Sequence, residues 1–338
     1  MKASQFSFDL PPELIAQEPA PEREGARLLV LDRRTGATAD SSVRDLASWI
    51  RPGTVMVFND TRVRKARLFA AGPSGSPCEF LLLEQRDATL WEAIVGRARK
   101  ARIGTRFAFP AGVVGVIEGE SGETRLVRFD RAIDDAWLER HGHVPLPPYI
   151  RRQDTPADDS RYQTVYNRTL GSAAAPTAGL HFTDGLLSRL RGAGARIAWV
   201  TLHVGLGTFQ PIRSEEIEDH PMHEERFHVP QETRRLVNQA VEGEQPVLAV
   251  GTTVVRTLES AWSSDGLRAG DGATRLFITP GYRFQVVSQL FTNFHTPGSS
   301  LLVLVSAFAG TERILSAYAQ AVRKRYRFFS YGDATLIR

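Results

Sequence analysis

The chain has 338 residues, 42% of them apolar and 24% charged, with a net charge of +4. That length accommodates two domains, or one large domain carrying an insertion. The modest charge excludes a polycationic nucleic-acid coat, so a phosphate-bearing partner would have to meet a local patch. The one cysteine, Cys78, excludes an intramolecular disulfide and fits a reducing compartment. No apolar signal core follows Met1-Lys2-Ala3-Ser4-Gln5. The longest apolar run, residues 301–305, falls far short of the roughly 20 residues a membrane span needs. The expectation is a soluble, cytoplasmic chain with no membrane partner.

Residues 10–17 carry Leu14 and Ile15 after a Pro-Pro pair and suggest a brief helix. Arg27–Leu31 predicts a buried strand closed by the Thr35-Gly36 turn. Ser41 or Ser42 caps a helix with Val43, Leu46, Ala47 and Ile50 on one face, stopped at Pro52-Gly53. Residues 54–58 form a second strand that runs into Asn59, Asp60, Thr61 and Arg62. Polar groups at the carboxyl end of a buried strand are where open α/β sheets place ligands. An Asx-turn with a solvated arginine fits the same four residues.

From residue 66 to 129 the texture changes to six short β-rich runs, at 67–71, 79–83, 90–95, 106–109, 113–117 and 125–129. No amphipathic helix of useful length intervenes, which predicts a small antiparallel barrel inserted into an α/β body. Arg97, Arg99, Lys100, Arg102 and Arg106 form a basic run with no acidic residue among them. It reads either as a solvated loop or as a surface that tracks RNA phosphates. Asp134 caps a short helix, and residues 144–150 must then be extended because of their prolines. The body is thus expected to comprise residues 1–65 and 148–338, with a mixed sheet, and the barrel residues 66–147.

The stretch Gly171-Ser172-Ala173-Ala174-Ala175-Pro176-Thr177-Ala178-Gly179-Leu180-His181-Phe182-Thr183 suits neither regular element. It is either a tightly packed turn or a ligand loop offering Thr177 and His181. Thr183 then caps a helix, and residues 197–204 predict a strand ending in the loop His203 to Phe209. His220, His223, Glu225 and His228 invite a metal reading. Pro221 between the first two histidines and the lack of a thiolate cluster argue against it. Residues 247–250, Gly251-Thr252-Thr253 and a helix bearing Val254, Val255 and Leu258 form a strand–loop–helix step. Its helix start offers free N–H groups to a polar or anionic ligand, without being a Walker loop or a dinucleotide fingerprint. Residues 290–295 predict another strand, followed by an apolar helix from Leu301 and a last helix ending in Arg323, Lys324, Arg325 and Arg327. Those cations suit a helix C-terminus or an RNA surface.

These loops, taken in order, resemble the S-adenosylmethionine:tRNA ribosyltransferase-isomerase family of queuosine biosynthesis. The resemblance rests on Phe8 to Pro11, Asn59 to Val63, Arg161 to Tyr166, Ala174 to Thr183 and His203 to Phe209. It continues through His220, Met222, His223 and Glu225, then Gly251 to Thr253 with Arg256, Glu259 and Ser260. Asn293, His295, Pro297, Ser299, Ser300 and Ser330 to Ala334 complete it, and Ala173, Asn167 and Thr335 depart from the usual pattern.

The resemblance implies a transferase that moves the ribosyl part of S-adenosylmethionine onto 7-aminomethyl-7-deazaguanine at the wobble position of GUN-anticodon tRNAs. The ribose is isomerised to give epoxyqueuosine-tRNA, with adenine and methionine released. S-adenosylmethionine is then a consumed substrate, and no cofactor or metal is expected. The proposed chemistry begins with removal of a C5′ proton beside the sulfonium. His181, Thr177, His203, His223, Glu225 and His295 are the candidate catalytic groups, His181 first among them. Gly251, Thr252, Thr253, Arg256, Glu259, Asn293, Ser299 and Ser300 are expected near S-adenosylmethionine. Asn59, Asp60, Arg62, Arg67, Arg97, Arg99, Lys100, Arg102, Arg323, Lys324 and Arg325 are expected near the base or the tRNA. A monomer is expected, and Cys78, placed in the barrel, disfavours a cysteine nucleophile. The competing readings are a non-catalytic RNA-binding module and a metal-dependent hydrolase built on His220, His223 and Glu225.

Overall fold

The computed structural model describes residues 1–96, 101–205 and 212–338. The chain begins with β1 (Arg27–Leu31), β2 (Thr38–Ser42) and β3 (Val55–Asn59), followed by the short β4 (Thr61–Val63). Every residue of β3 is buried, as befits a strand covered on both faces. Six strands then close into an antiparallel barrel: β5 (Arg67–Ala71), β6 (Pro77–Gln85), β7 (Leu90–Val95), β8 (Arg106–Ala108), β9 (Val114–Ser121) and β10 (Thr124–Phe129). Alternate residues of β6 and β7 face inward. They pack Phe80, Leu82, Trp91 and Ala93 against Phe107, Phe109 and Phe129.

The return passes through α1 (Asp135–His141), whose start is capped by Asp134 accepting from the Trp137 N–H (2.7 Å), and α2 (Asp158–Arg161). Next come β11 (Thr169–Ser172), α3 (Asp184–Gly192) and β12 (Arg196–Leu202). Then follow β13 (Glu225–Val229), α4 (Gln231–Glu242), β14 (Val247–Val250) and α5 (Thr252–Ala261). A hairpin of β15 (Trp262–Ser263) and β16 (Gly266–Leu267) leads to β17 (Gly270–Thr274) and β18 (Gln289–Asn293). The chain finishes with α6 (Ser300–Ala309), α7 (Thr311–Arg323) and β19 (Ala334–Ile337).

The main sheet has nine strands in the order β17-β13-β12-β3-β14-β18-β19-β1-β2. Its centre, β12-β3-β14-β18, is parallel, and antiparallel pairings flank it at β13 and β19. This is the α/β body with a mixed sheet and inserted antiparallel barrel that the sequence predicts. One face packs Val55, Val57, Val200 and Leu290 against α4, α5, α6 and α7. The other packs Met56, Phe58, Val250 and Phe291 against α3 and residues 43–49.

Several local expectations are corrected. Residues 43–49 form a 3-10 helix, its start capped by Ser42, and the turn near Leu14 is a three-residue 3-10 helix. The strands β2, β13, β17 and β19 arise where sequence periodicity gave no strand. Among the described residues no single helix is long and apolar enough to cross a membrane.

Candidate functional site at the carboxyl edge of the sheet

Because β12, β3, β14 and β18 run parallel, their carboxyl ends share one edge of the sheet. That edge carries Asn59 at the end of β3 and Asp60 after it, His203 after β12, Gly251 after β14, and Asn293 with His295 at the end of β18. The barrel is inserted after β3 and β4, so it leaves and rejoins the body here. The 171–183 stretch also comes to this edge. β11 pairs in parallel with β4, and the following residues form a buried 3-10 turn, Thr177–His181.

Asn59 holds the β3–β12 junction together. Its Nδ2 donates to the Leu202 carbonyl (2.9 Å), and its Oδ1 accepts from Leu202 (3.0 Å) and Thr61 (3.1 Å) backbone N–H groups. Asp60 is buried and accepts from the Thr201 hydroxyl (2.6 Å), and burial pushes its carboxyl up. Thr61 Oγ1 lies 2.8 Å from His203 Nδ1 and 3.4 Å from the Thr169 carbonyl. Donation by the hydroxyl to that carbonyl lets Nδ1–H donate to Thr61 and leaves Nε2 as the nitrogen with the lone pair. Half-buried, His203 is held below the usual imidazole range, first by burial and then by the Arg64 charge. Gly171 is required beside it, since a Cβ there would lie 2.9 Å from the His203 ring.

His181 sits in a different setting. It is buried, and its Nε2 accepts from Asn293 Nδ2 (3.1 Å). Burial pushes it down to about 4, so the imidazole is neutral near pH 7. Asn293 Nδ2 donates in addition to the Phe329 carbonyl (3.2 Å), tying the turn to the C-terminal segment. A cavity of about 20 Å³ lies beside His181, lined by Arg23, Arg161, Ser330 and Tyr331. Thr177 is half-buried at the start of the turn. Ala178 packs against the start of α5, where a Cβ at Gly251 would lie 3.6 Å from its own. Thr252 and Thr253, both buried, form the first helical residues after Gly251.

The other predicted residues separate into groups. His295 is buried with Nε2 3.1 Å from Thr292 Oγ1, and burial pushes it down to about 3. Glu225 and Arg256 form a buried ion pair, and Arg256 Nε also donates to the Leu276 carbonyl (3.0 Å). Glu259 receives the backbone N–H groups of Gln285 (2.9 Å), Val286 (3.2 Å) and Val287 (3.0 Å) and the Tyr282 hydroxyl (3.2 Å). Both of its oxygens therefore hold the 282–287 loop in place. Ser299 caps α6 by accepting from Leu302 N–H (3.2 Å), and Ser300 is buried beside it. His223 is exposed, while the His220 ring packs edge-on against Phe277 (5.7 Å). His228 pairs with Asp271 (2.7 Å). No group of three or more His, Cys, Asp or Glu among the described residues is arranged to hold a metal ion.

Of the cations, Arg67 is ion-paired to Glu79 (2.8 Å), whereas Arg62, Arg102 and Arg106 are exposed. Arg323, Lys324 and Arg325 are exposed at the end of α7, with Lys324 paired to Asp40. Arg327 nearby lowers the His181 imidazole along with Arg23 and Arg161. Arg97, Arg99, Lys100 and residues 206–209 lie outside the described residues.

Sequence reasoning missed Arg23, Arg161 and Thr61 as site residues. It also missed the network in which Arg152 and the Tyr331 hydroxyl (2.7 Å) bind Asp158. Burial pushes Asp158 up, but those bonds prevail and hold it at about 2. Arg23 opens a three-residue 3-10 helix, Arg23–Gly25, too short for any period to mark it. Thr61 was visible only as part of a polar strand end.

A parallel block with histidine, threonine, asparagine and carboxylate groups gathered at its carboxyl edge defines an α/β protein with a candidate ligand site where such sheets usually place one. The polar groups lie on several loops that a rigid sheet positions. The chain belongs to the queuosine biosynthesis protein family, whose model matches residues 3–337. It is 49% identical over 346 residues to a Treponema denticola protein named S-adenosylmethionine:tRNA ribosyltransferase-isomerase, with 100% of both chains covered. A Geobacter sulfurreducens protein of the same name is 48% identical over 342 residues, again with 100% of both covered. The crystal structure of S-adenosylmethionine tRNA ribosyltransferase from Thermotoga maritima matches with a TM-score of 0.58 at 35% identity. That match covers 99% of this chain and 100% of the other.

Proposed function

We propose that this chain is an S-adenosylmethionine:tRNA ribosyltransferase-isomerase acting in the cytoplasm. Its substrates are S-adenosylmethionine and a tRNA carrying 7-aminomethyl-7-deazaguanine in a GUN anticodon. The observation that carries the reading is agreement along the whole of both chains with relatives of that name. The position of the polar groups at one sheet edge supports it.

The geometry supports a division of labour between two histidines. His203 has its Nδ1 engaged by Thr61, and its Nε2 has no hydrogen-bond partner among the described residues. A neutral imidazole with an open nitrogen suits removal of the C5′ proton that the neighbouring sulfonium acidifies. His181 is buried with its Nε2 committed to Asn293, so its role is to fix the turn that walls the site. This reverses the order expected from sequence, where His181 stood first. Asp60 beside Thr201 favours the protonated form of His203 once it has taken a proton. Gly251, Thr252 and Thr253 offer the α5 N-terminus to the polar end of S-adenosylmethionine.

The test is adenine release from S-adenosylmethionine with purified protein and substrate tRNA. The reading requires release that depends on the aminomethyl base. Equal release with unmodified guanine at that position contradicts it, and RNA binding without release favours the binding-module alternative.

A further inference from the structure

A second feature lies on the other side of β4 from His203. Successive residues of a strand face opposite ways. Thr61 and Val63 are buried, and Arg62 between them is exposed. Arg62 lines an open cleft of about 340 Å³ together with Lys65, Glu139, Asp159, Val165 and Asn167. Such a volume lies at the small end of the roughly 300–1,000 Å³ range of ligand clefts, enough for one nucleotide-sized unit.

The cations of this cleft are not equivalent. Lys65 is already neutralised by Glu139 (3.1 Å) and Asp159 (2.9 Å). The Arg23 guanidinium is spent on the Leu180 (2.9 Å) and Ser160 (2.6 Å) carbonyls. Arg62 makes no ion pair or side-chain hydrogen bond among the described residues, so its planar set of donors is open. Its backbone position is nevertheless fixed. Gln163 grips the neighbouring Val63 from both sides, accepting from its N–H (3.0 Å) and donating to its carbonyl (2.8 Å). Beside Arg62, Val165 leaves 38% of its surface exposed, an apolar platform at the cleft. Asn167 uses its Nδ2 on the Thr164 carbonyl, which leaves its Oδ1 as an acceptor.

One open, pre-positioned guanidinium, one apolar platform and one carboxamide acceptor match the phosphate, the ring face and the base edge of a single unpaired nucleotide. We propose that this cleft is a nucleotide subsite for the RNA substrate. It holds a nucleotide flanking the modified one, with its phosphate on Arg62. The proposal rests on the ribosyltransferase reading for the identity of the RNA. Because Thr61 reaches His203 while Arg62 reaches the cleft, an RNA loop draped over β4 presents neighbouring nucleotides to the two sides.

The test uses the full-length protein, a labelled anticodon stem–loop RNA and free uridine monophosphate. Arg62→Gln is the test variant, since an exposed, unpartnered side chain is replaced without disturbing packing. Arg235→Gln on α4 is the charge-matched control. Arg62→Gln is expected to weaken RNA binding about tenfold, the loss of one charge-assisted contact. It should also lower the slope of log affinity against log salt by about 0.7, one phosphate of a single strand. The rise in KM for RNA should exceed any change in kcat, with KM for S-adenosylmethionine unmoved.

Affinity and salt slope equal to those of the Arg235→Gln control overturn the proposal. So does uridine monophosphate that binds through Arg62 without competing with RNA, which marks a free-nucleotide site instead. Because the readout is binding, the cleft is tested independently of turnover. A wild-type protein that binds the stem–loop through Arg62 but never releases adenine refutes the function and leaves the subsite standing.

Discussion

Gly179 is the position where the site's packing is most sharply constrained. A Cβ built there lies 2.1 Å from the Tyr166 hydroxyl oxygen, 2.8 Å from Thr164 Cγ2 and 3.2 Å from Tyr166 Cζ. The Tyr166 ring is held against Phe58 (5.3 Å) and Trp199 (4.9 Å), so it has little room to retreat. Relief to an ordinary contact of about 3.5 Å requires a shift of well over an ångström, and overpacking of this kind costs about 1–3 kcal/mol. Gly179→Ala is therefore expected to lose about 2–3 kcal/mol of stability. The Tyr166 hydroxyl is buried with no hydrogen-bond partner among the described residues, so Tyr166→Phe alone should be neutral or mildly stabilising. In the double variant the worst contact is gone, while the Thr164 methyl and the ring's Cζ remain. The cost of the alanine should fall to about 1 kcal/mol, a coupling of about 1–2 kcal/mol. Urea denaturation at constant m reads these differences. Additivity within about 0.3 kcal/mol would refute the argument, because the two atoms would then not be in each other's way.

Three further outcomes are expected. His203→Ala should abolish single-turnover adenine release, while His181→Gln should retain a measurable rate with weakened substrate binding. The opposite ranking would return the base role to His181. His295 is neutral in the fold because burial holds it at about 3, against about 6.5 when unfolded. The unfolded chain thus binds the extra proton, and stability from this group is complete above pH 6.5 and lost as pH falls toward 3. Asp60 and Asp333, pushed up by burial, act in the opposite sense, so the variant difference is the measurement. His295→Gln should flatten the pH dependence between pH 6.5 and 4.5, and an unchanged slope would count against the assignment. Glu259→Gln turns one of the two acceptor oxygens into an amide donor facing one or two backbone N–H groups and should cost about 1–3 kcal/mol. Hydrogen exchange should then quicken at Gln285, Val286 and Val287, and unchanged protection there would remove Glu259 from its role as the loop's anchor.

The body and barrel were legible because their signals are local. β3 and β14 are short, wholly buried strands, apolar but for Asn59, and the barrel strands alternate between inward and outward residues. What escaped was set by partners distant in sequence. β13 has clean alternation, with Glu225, Phe227 and Val229 buried and Arg226 and His228 exposed. A glutamate at an inward position disguised it, and that glutamate is tolerated because Arg256 on α5 pairs with it. β2 is an edge strand of mostly polar residues that exists because β1 offers it a ladder. At the site, the strand ends themselves were readable, and so was the 171–183 stretch as a special loop. The difference between His181 and His203 was not readable. It depends on Asn293 filling one imidazole nitrogen and Thr61 holding the other ring by its far side.

The central claim is that the chain transfers the ribosyl part of S-adenosylmethionine to RNA, and product analysis tests it most directly. Substrate tRNA is incubated with the protein and S-adenosylmethionine, the tRNA is digested and its nucleosides weighed by mass spectrometry, and the small products are quantified alongside. The account predicts that the aminomethyl-deazaguanine nucleoside gains the isomerised ribosyl unit, with adenine and methionine released in equal amounts. A nucleoside heavier by one methyl group, with S-adenosylhomocysteine as the small product, would contradict it.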